Sequence, residues 1–284
     1  MKILILGSSG LLGLEIYKVL SNNFKVYHNG LKKRKINLEV KSKFFRLLNK
    51  IKPSLIVNCA AHTNIDYCER NKSKIKKINS DLIKWIFEFE KRNQMKIWLI
   101  QISTDSMYYK KKRNSEKDKI KCSNYYVVSK IIAEQNCAKT SLILRTNFFG
   151  KSKNKNNYSF TDFVYNSFKS GKKFYLVDDV YFNPLRTITI ARIIKKIILN
   201  KQKISGVFNL GSRGKISKFN FALFFAKKLK ISNRKFIKIK SKNLFKIKRS
   251  RFTVTSSKKI ENKLNFKLPD LKSEIIKELK DNYA

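Results

Sequence analysis

The sequence predicts an α/β fold, a doubly wound parallel sheet with a smaller C-terminal lobe. Three observations lead there. Short apolar runs alternate with longer amphipathic segments over residues 1–150, and such alternation builds parallel sheets through right-handed crossovers, with helices on both faces. A glycine-rich turn, Gly7-Ser8-Ser9-Gly10-Leu11-Leu12-Gly13, lies between the first apolar run and the first helical segment. After about Gly150 the elements become shorter and less regular.

Lys2 to Leu6 reads as a buried strand and Leu11 to Ser21 as a helix. Phe24 to Tyr27 follows as a strand and Val40 to Ile51 as a helix. Leu55 to Asn58 is the third strand. Ile75 to Asn93 reads as one long helix, because Ile75, Ile78, Leu82, Ile83, Ile86 and Phe87 recur at helical spacing. Lys96 to Ile102 is a strand, Tyr125 to Ala138 a helix and Leu142 to Arg145 a strand. Beyond a polar stretch, Lys151 to Asn157, come a helix at Phe160 to Ser170 and a strand at Phe174 to Val177. A helix at Ile188 to Leu199, a strand at Val207 to Leu210 and helices at Lys218 to Leu229 and Lys272 to Lys280 close the chain.

With 284 residues, 42% of them hydrophobic, and 21 Phe, the chain can bury a large core. Lys and Arg number 65 against 19 Asp and Glu, a formal net charge of +46. Such a balance suggests an anionic partner. The lysines are spread along the whole chain rather than gathered, as in a chain coded by an A- and T-rich genome. No nucleic-acid-binding motif accompanies them, so nucleic acid is not an expected partner. No apolar run is long enough to cross a bilayer, and the N-terminus does not read as a signal peptide. Cys59, Cys68, Cys122 and Cys137 form no CxxC pair, so free thiols in a reducing cytoplasm are expected. Cys59-x-x-His62 with Cys68 has a spacing that suits zinc but lacks a compelling fourth ligand, and no metal is expected.

The glycine turn is where a Rossmann-type sheet rests a dinucleotide pyrophosphate. Gly7 permits the tight turn, Gly10 lets phosphates approach the backbone, and Gly13 lets helix and strand pack closely. The helix N-terminus offers N–H groups and partial positive charge to the phosphates. Residues 1–150 are therefore expected to form an NAD(P)-binding domain, and 151–284 mainly a substrate-binding lobe interleaved with it. The second strand ends in His28-Asn29-Gly30 with no carboxylate, and Lys32, Lys33 and Arg34 follow. A guanidinium can bind a 2′-phosphate that a carboxylate would repel. NADPH is the expected cofactor, with Arg34 on that phosphate; NADH stays open as a substitute.

Tyr126 and Lys130 stand four residues apart, on one face of a helix. A free phenol has a pKa of about 10, too high for proton transfer near neutrality. A nearby ammonium favours the phenolate and brings that value down, so the pair can pass a proton to or from a substrate oxygen. Ser103-Thr104-Asp105 follows the fourth strand, at the carboxyl end where ligands bind such sheets.

These segments together resemble the extended short-chain dehydrogenase/reductase superfamily, and within it the dTDP-4-dehydrorhamnose reductase family. Asn58-Cys59-Ala60-Ala61-His62-Thr63-Asn64-Ile65-Asp66 resembles that family's Asn-Ala-Ala-His/Tyr-Thr-x-Val-Asp. Ser103-Thr104-Asp105 matches its Ser-Thr-Asp, Asn124 to Lys130 its tyrosine and lysine segment, and Leu144-Arg145-Thr146 the strand that follows. The resemblance implies that Tyr126 donates the proton, Lys130 lowers its pKa and holds the nicotinamide ribose, and Thr104 orients the substrate oxygen. It implies cofactor contacts from Gly7, Ser9, Gly10, Leu11, Leu12, Gly13, Ala60, Ala61, Thr63 and Ser103, with Asn79 near the site. On the substrate side it implies Thr104, Asp105, Arg145, Asn147 and Arg186.

Val127 stands where the family has Gly, and Ser106 where it has Tyr or Phe. Asn183-Pro184-Leu185-Arg186-Thr187 looks more like the Pro-x-Arg segment of sugar-nucleotide epimerases, whose Arg binds the substrate diphosphate. The resemblance implies an NADPH-dependent reductase of a nucleotide-linked 4-keto sugar. The alternatives are a nucleotide-sugar epimerase and a regulatory subunit that binds cofactor without turnover. The latter often loses the Tyr or Lys that this chain keeps. A homodimer stays open as the assembly.

Overall fold

The computed structural model describes residues 1–30, 36–153, 158–200, 202–231 and 235–283. Lys32, Lys33 and Arg34, the expected 2′-phosphate ligands, lie outside the described residues. The chain folds as two compact units that exchange segments. Unit 1 holds Met1–Thr104, Asn124–Arg145 and Ile188–Phe208, and unit 2 holds Asp105–Ser123, Thr146–Thr187 and Asn209–Ala284.

Unit 1 is the sheet. Its elements are β1 (Lys2–Leu6), α1 (Leu11–Ser21), β2 (Lys25–His28), α2 (Lys41–Ile51) and β3 (Leu55–Asn58). After these come α3 (Ile65–Arg70), α4 (Lys72–Lys76), α5 (Leu82–Arg92), β4 (Trp98–Thr104), α6 (Tyr125–Gln135) and β5 (Leu142–Thr146). The strand Gly206–Leu210 completes a six-stranded sheet, in which it is followed by β5, β4, β3, β1 and β2. Parallel registers pair Ile3 with Val26 and Leu55, and Leu55 with Trp98. Ile3 to Leu6 and Leu55 to Val57 are wholly buried, as strands covered on both faces must be. Phe44 and Leu48 of α2 pack with Leu82, Ile86 and Phe89 of α5 against Leu4, Ile56 and Leu99 of the sheet.

Several boundaries differ from the sequence reading. β2 is shifted by one residue, and Val40 is the N-cap of α2 rather than its first residue. The fourth strand starts at Trp98, not Lys96, because Glu90 draws the segment back onto α5: its carbonyl accepts from Met95 N and its carboxylate from Ile97 N. Trp98 N then opens the strand by donating to Ser54 O. Ser103 and Thr104 consequently lie within β4. The long helix expected over Ile75 to Asn93 is broken: α4 runs into a π-helical turn, Lys77–Asp81, before α5 begins. α6 stops at Gln135 because Asn136 and Cys137 close it with backbone bonds to Ile132 and Glu134. α3 is an element the periodicity does not show.

Unit 2 is built on aromatic packing. Phe149, Phe168, Phe182, Phe221, Phe225 and Tyr283 share one core, with edge-to-face contacts such as Phe149 to Phe221 at 5.3 Å. Helix Phe160–Lys169 carries a capping box from Ser159 and Asp162, and Asp270 caps helix Leu271–Asn282. Strands Phe174–Val177 and Phe236–Ile239 pair in parallel.

Candidate active site

In unit 1 the glycine turn works as a close approach of three backbones. Gly7 has φ of +74°, and a Cβ there would lie 2.6 Å from Ala60 N. A Cβ on Gly13 would lie 2.2 Å from Gly7 O. α1 can therefore sit directly against the turn only without side chains at these two positions. Asn29, just past β2, fastens the turn by accepting from Gly7 N at 2.8 Å. Gly10 is the N-cap of α1, and no side chain caps the helix. Ser8 Oγ is buried without a hydrogen-bond partner, and Ser9 packs beside Gly30. An uncapped helix start, a cradle closed to side chains and an orphan hydroxyl fit a dinucleotide pyrophosphate, with Leu11 and Leu12 offering the first-turn N–H groups.

Past β3, Asn58 accepts from Ala60 N and donates to Gln101 on β4. Ala60 is buried, Ala61 half-buried and Thr63 exposed. Asn79, on the π-helical turn and itself buried, ties this loop to α6. Its Oδ1 accepts from His62 N at 2.8 Å, while its Nδ2 donates to His62 O and to Ser129 Oγ.

α6 begins at Tyr125 because Asn124 caps it, accepting from Val127 N at 3.1 Å, and Glu69 accepts from Tyr125 N. Tyr126 is half-buried in the first turn. Lys130, one turn on, is only 3% exposed, and its ammonium donates to Ile102 O of β4 at 2.7 Å. Burial brings its pKa down to about 8. Thr104 is buried at the end of β4. The structure thus gathers Tyr126, Lys130, Ser103 and Thr104 on α6 and the end of β4.

Ser103 and Arg145 share a partner that the sequence reading did not single out. The Ser103 hydroxyl donates to Glu134 Oε1 at 2.5 Å. Arg145 Nε donates to the same carboxylate at 3.0 Å and its second guanidinium nitrogen at 2.6 Å. The two charged side chains are each 8% exposed. Glu134 stands four residues beyond Lys130, and that spacing was the signal available for it.

In unit 2, Asp105 is buried, and burial pushes its carboxyl up to about 7 against the hydrogen bonds from Thr253, Asn147 and Ser106. Asn147 Nδ2 donates to it at 3.4 Å. Arg186, the expected diphosphate ligand, is engaged elsewhere. It is buried, and its guanidinium donates to Glu278 at 2.9 Å and Asp281 at 2.5 Å.

A cleft of about 820 Å³ opens within unit 2. Lys111, Lys121, Lys215, Lys240, Lys248, Arg249 and Arg251 line it with Tyr109, Tyr181 and Phe252. Asp178 and Asp179 are its acidic members. Lys238 and Lys240 bridge Asp178 at 3.2 and 3.0 Å, and Asp179 accepts from Ser241 N. The Arg249 guanidinium stacks 3.9 Å over Phe245. Seven cations against two carboxylates, with three aromatic rings, suit an anion that carries an aromatic base. In the sequence this cluster is hidden among scattered lysines, with Lys248-Arg249-Ser250-Arg251 its one local sign.

A family model described as the RmlD substrate binding domain matches residues 1–284. A dTDP-4-dehydrorhamnose reductase from Aggregatibacter actinomycetemcomitans is 26% identical over 232 residues, covering 78% of this chain and 77% of that one. One from Salmonella typhimurium is 25% identical over 242 residues, with 78% and 76% covered. Among solved structures, a dTDP-4-dehydrorhamnose reductase from Clostridium acetobutylicum superposes with a TM-score of 0.87 at 24% identity, over 99% of both chains.

Proposed function

This chain belongs to the RmlD substrate binding domain family, and from that premise we propose that it is an NADPH-dependent reductase of a nucleotide-linked 4-keto sugar of the dTDP-4-dehydrorhamnose type. The observation that carries the reading is the buried Lys130 ammonium, held on the backbone of β4 one helical turn from Tyr126. Bound NADPH supplies a hydride for the keto carbon. Thr104, ending β4, hydrogen-bonds the carbonyl oxygen. Tyr126 gives that oxygen its proton, and the Lys130 ammonium stabilises the phenolate left behind. The uncapped start of α1 receives the pyrophosphate, with Gly7, Ser9, Gly10 and Gly13 giving it room. Ala60, Ala61, Thr63 and Ser103 flank the dinucleotide in this reading.

NADPH is favoured over NADH because no carboxylate ends β2: its last residues are His28 and, beyond it, Asn29, whose Oδ1 serves the glycine turn. The cationic cleft of unit 2 suits the nucleoside diphosphate end of the substrate. Within unit 2, Asp105 and Asn147 are substrate-side groups in this reading, which includes a cytoplasmic homodimer, with four free cysteines in keeping with a reducing compartment.

Incubation with NADPH and a panel of nucleotide 4-keto sugars tests the reading by the absorbance of the reduced nicotinamide. One cofactor should be consumed for each sugar reduced. Sugar conversion without cofactor oxidation would make the protein an epimerase. No conversion with NADPH bound would make it a regulatory subunit.

A further inference from the structure

Along one face of α6 run Tyr126, Lys130 and Glu134, each four residues from the last. The first two belong to the proposed chemistry; the third does not touch it. Glu134, the one carboxylate on this helix, is nevertheless firmly anchored. It accepts from Ser103 Oγ on β4 and takes a forked pair of bonds from Arg145 on β5. We propose that Glu134 is a positioning residue for Lys130: pinned by Ser103 and Arg145, it holds a negative charge one turn from the buried ammonium and keeps that ammonium charged. This rests on the reductase reading, in which the charge on Lys130 supports proton transfer by Tyr126.

Among the described residues, Glu134 is the carboxylate that acts on Lys130. Its ammonium donates to a neutral carbonyl, Ile102 O. Cys59, past β3, and Cys137, past α6, act on it only as thiols, because burial pushes both up to about 12. Tyr126 is the other titratable group on its own helix face. Burial pulls the Lys130 pKa down, and the Glu134 carboxylate is the largest influence opposing it. Arg145 neutralises part of that carboxylate from β5, and its forked bonds fix the carboxylate in place.

The test uses two variants of the whole chain. Glu134→Gln removes the charge and keeps the shape. Glu134→Gln with Arg145→Met removes both charges, so that no guanidinium is stranded. The readouts are kcat/KM for NADPH against pH, which reports groups of the free enzyme, and the dissociation constant of NADPH over the same range. In both variants the alkaline limb should move to lower pH, by about one unit in the single variant, whose Arg145 guanidinium is left uncompensated, and by less in the double variant. Activity at the acid end should stay close to wild type and fall about tenfold one unit above the new limb. A loss by the same factor at every pH, or an unmoved limb, would overturn the proposal and leave a core ion pair in its place. Failure of both variants to fold would do the same. If the wild type binds no NADPH, the reductase reading falls and takes this proposal with it.

Discussion

Lys130 must be buried and charged at once, and the two demands oppose each other. Its pKa is brought from 10.5 down to about 8 by burial. Below about 8 the ammonium is present, as the proposed proton transfer requires; above it the charge is lost and activity should decline. Stability runs the other way. The folded value lies below the unfolded one, so the cost of burying the charge is fully present below about 8 and fades as pH rises towards 10.5. Any stability advantage of Lys130→Met over wild type should therefore shrink between about pH 7 and about pH 10. Urea midpoints of the two proteins across that range decide it, and a growing advantage would show the sign to be wrong. Tyr126→Phe should lower kcat by about 10²- to 10⁴-fold and leave NADPH affinity within about threefold, because only the proton donor is lost. Gly13 acts through space: its missing Cβ would stand 2.2 Å from Gly7 O. Gly13→Ala should cost about 1–3 kcal/mol of stability and weaken NADPH binding together with it, both measurable in one thermal titration.

Among the elements, the π-helical turn does the most to join loop and helix. It places Asn79 and Ser80 side by side inside the protein, and both reach α6: Asn79 through Ser129 Oγ and Ser80 through Ser129 O. Asn79→Ala would leave His62 N and His62 O without these partners. The expected loss is about 2–4 kcal/mol from several hydrogen bonds, with kcat falling more than KM rises, because the loop past β3 loses its tie to the helix of Tyr126. Unfolding in urea and steady-state kinetics would show whether the two losses go together. This turn also marks where sequence reading ends. Ile75, Ile78, Leu82, Ile83 and Ile86 keep a helical rhythm through it, and one extra residue in a turn does not disturb a hydrophobic pattern enough to be seen. Two consecutive buried polar residues, Asn79 and Ser80, were the only trace. β1, α1 and β3 were legible to the residue, because each is bounded by a glycine or polar turn. Tyr126 and Lys130 were legible because one helical turn relates them. The link from Ser103 to Glu134 spans 31 residues, and no local period carries such a contact. α3 lay hidden in six residues, although Asn64 caps it by accepting from Tyr67 N.

For the whole molecule the open matter is what a net charge of +46 does. Spread lysines make a general field, which salt screens within a Debye length of about 10 Å at 0.1 M. The unit 2 cleft is different, since it concentrates seven cations around three aromatic rings. Arg186 cannot share that task while Glu278 and Asp281 hold its guanidinium. Arg186→Ala should strand the buried Glu278 carboxylate and cost about 3–5 kcal/mol of stability, a loss visible as a lower unfolding midpoint. Lys248 and Arg249 sit in the cleft, and their charge-assisted bonds to a diphosphate would be short-range and poorly screened. Lys248→Gln with Arg249→Gln should therefore raise KM for the nucleotide sugar about tenfold or more while kcat for the chemical step stays near wild type. Salt separates this from the general field. In the wild type, KM should rise only modestly as ionic strength increases beyond screening of the surface, because the cleft contacts persist. The double variant keeps five of the seven cleft cations but loses two short-range contacts, so a larger share of its attraction is the screened field and its KM should climb more steeply with salt. If both proteins instead show the same KM and the same salt slope, the diffuse charge does all the work. The cleft would then have no part in holding the diphosphate, and the chemistry assigned to Tyr126 and Lys130 would stand unaffected.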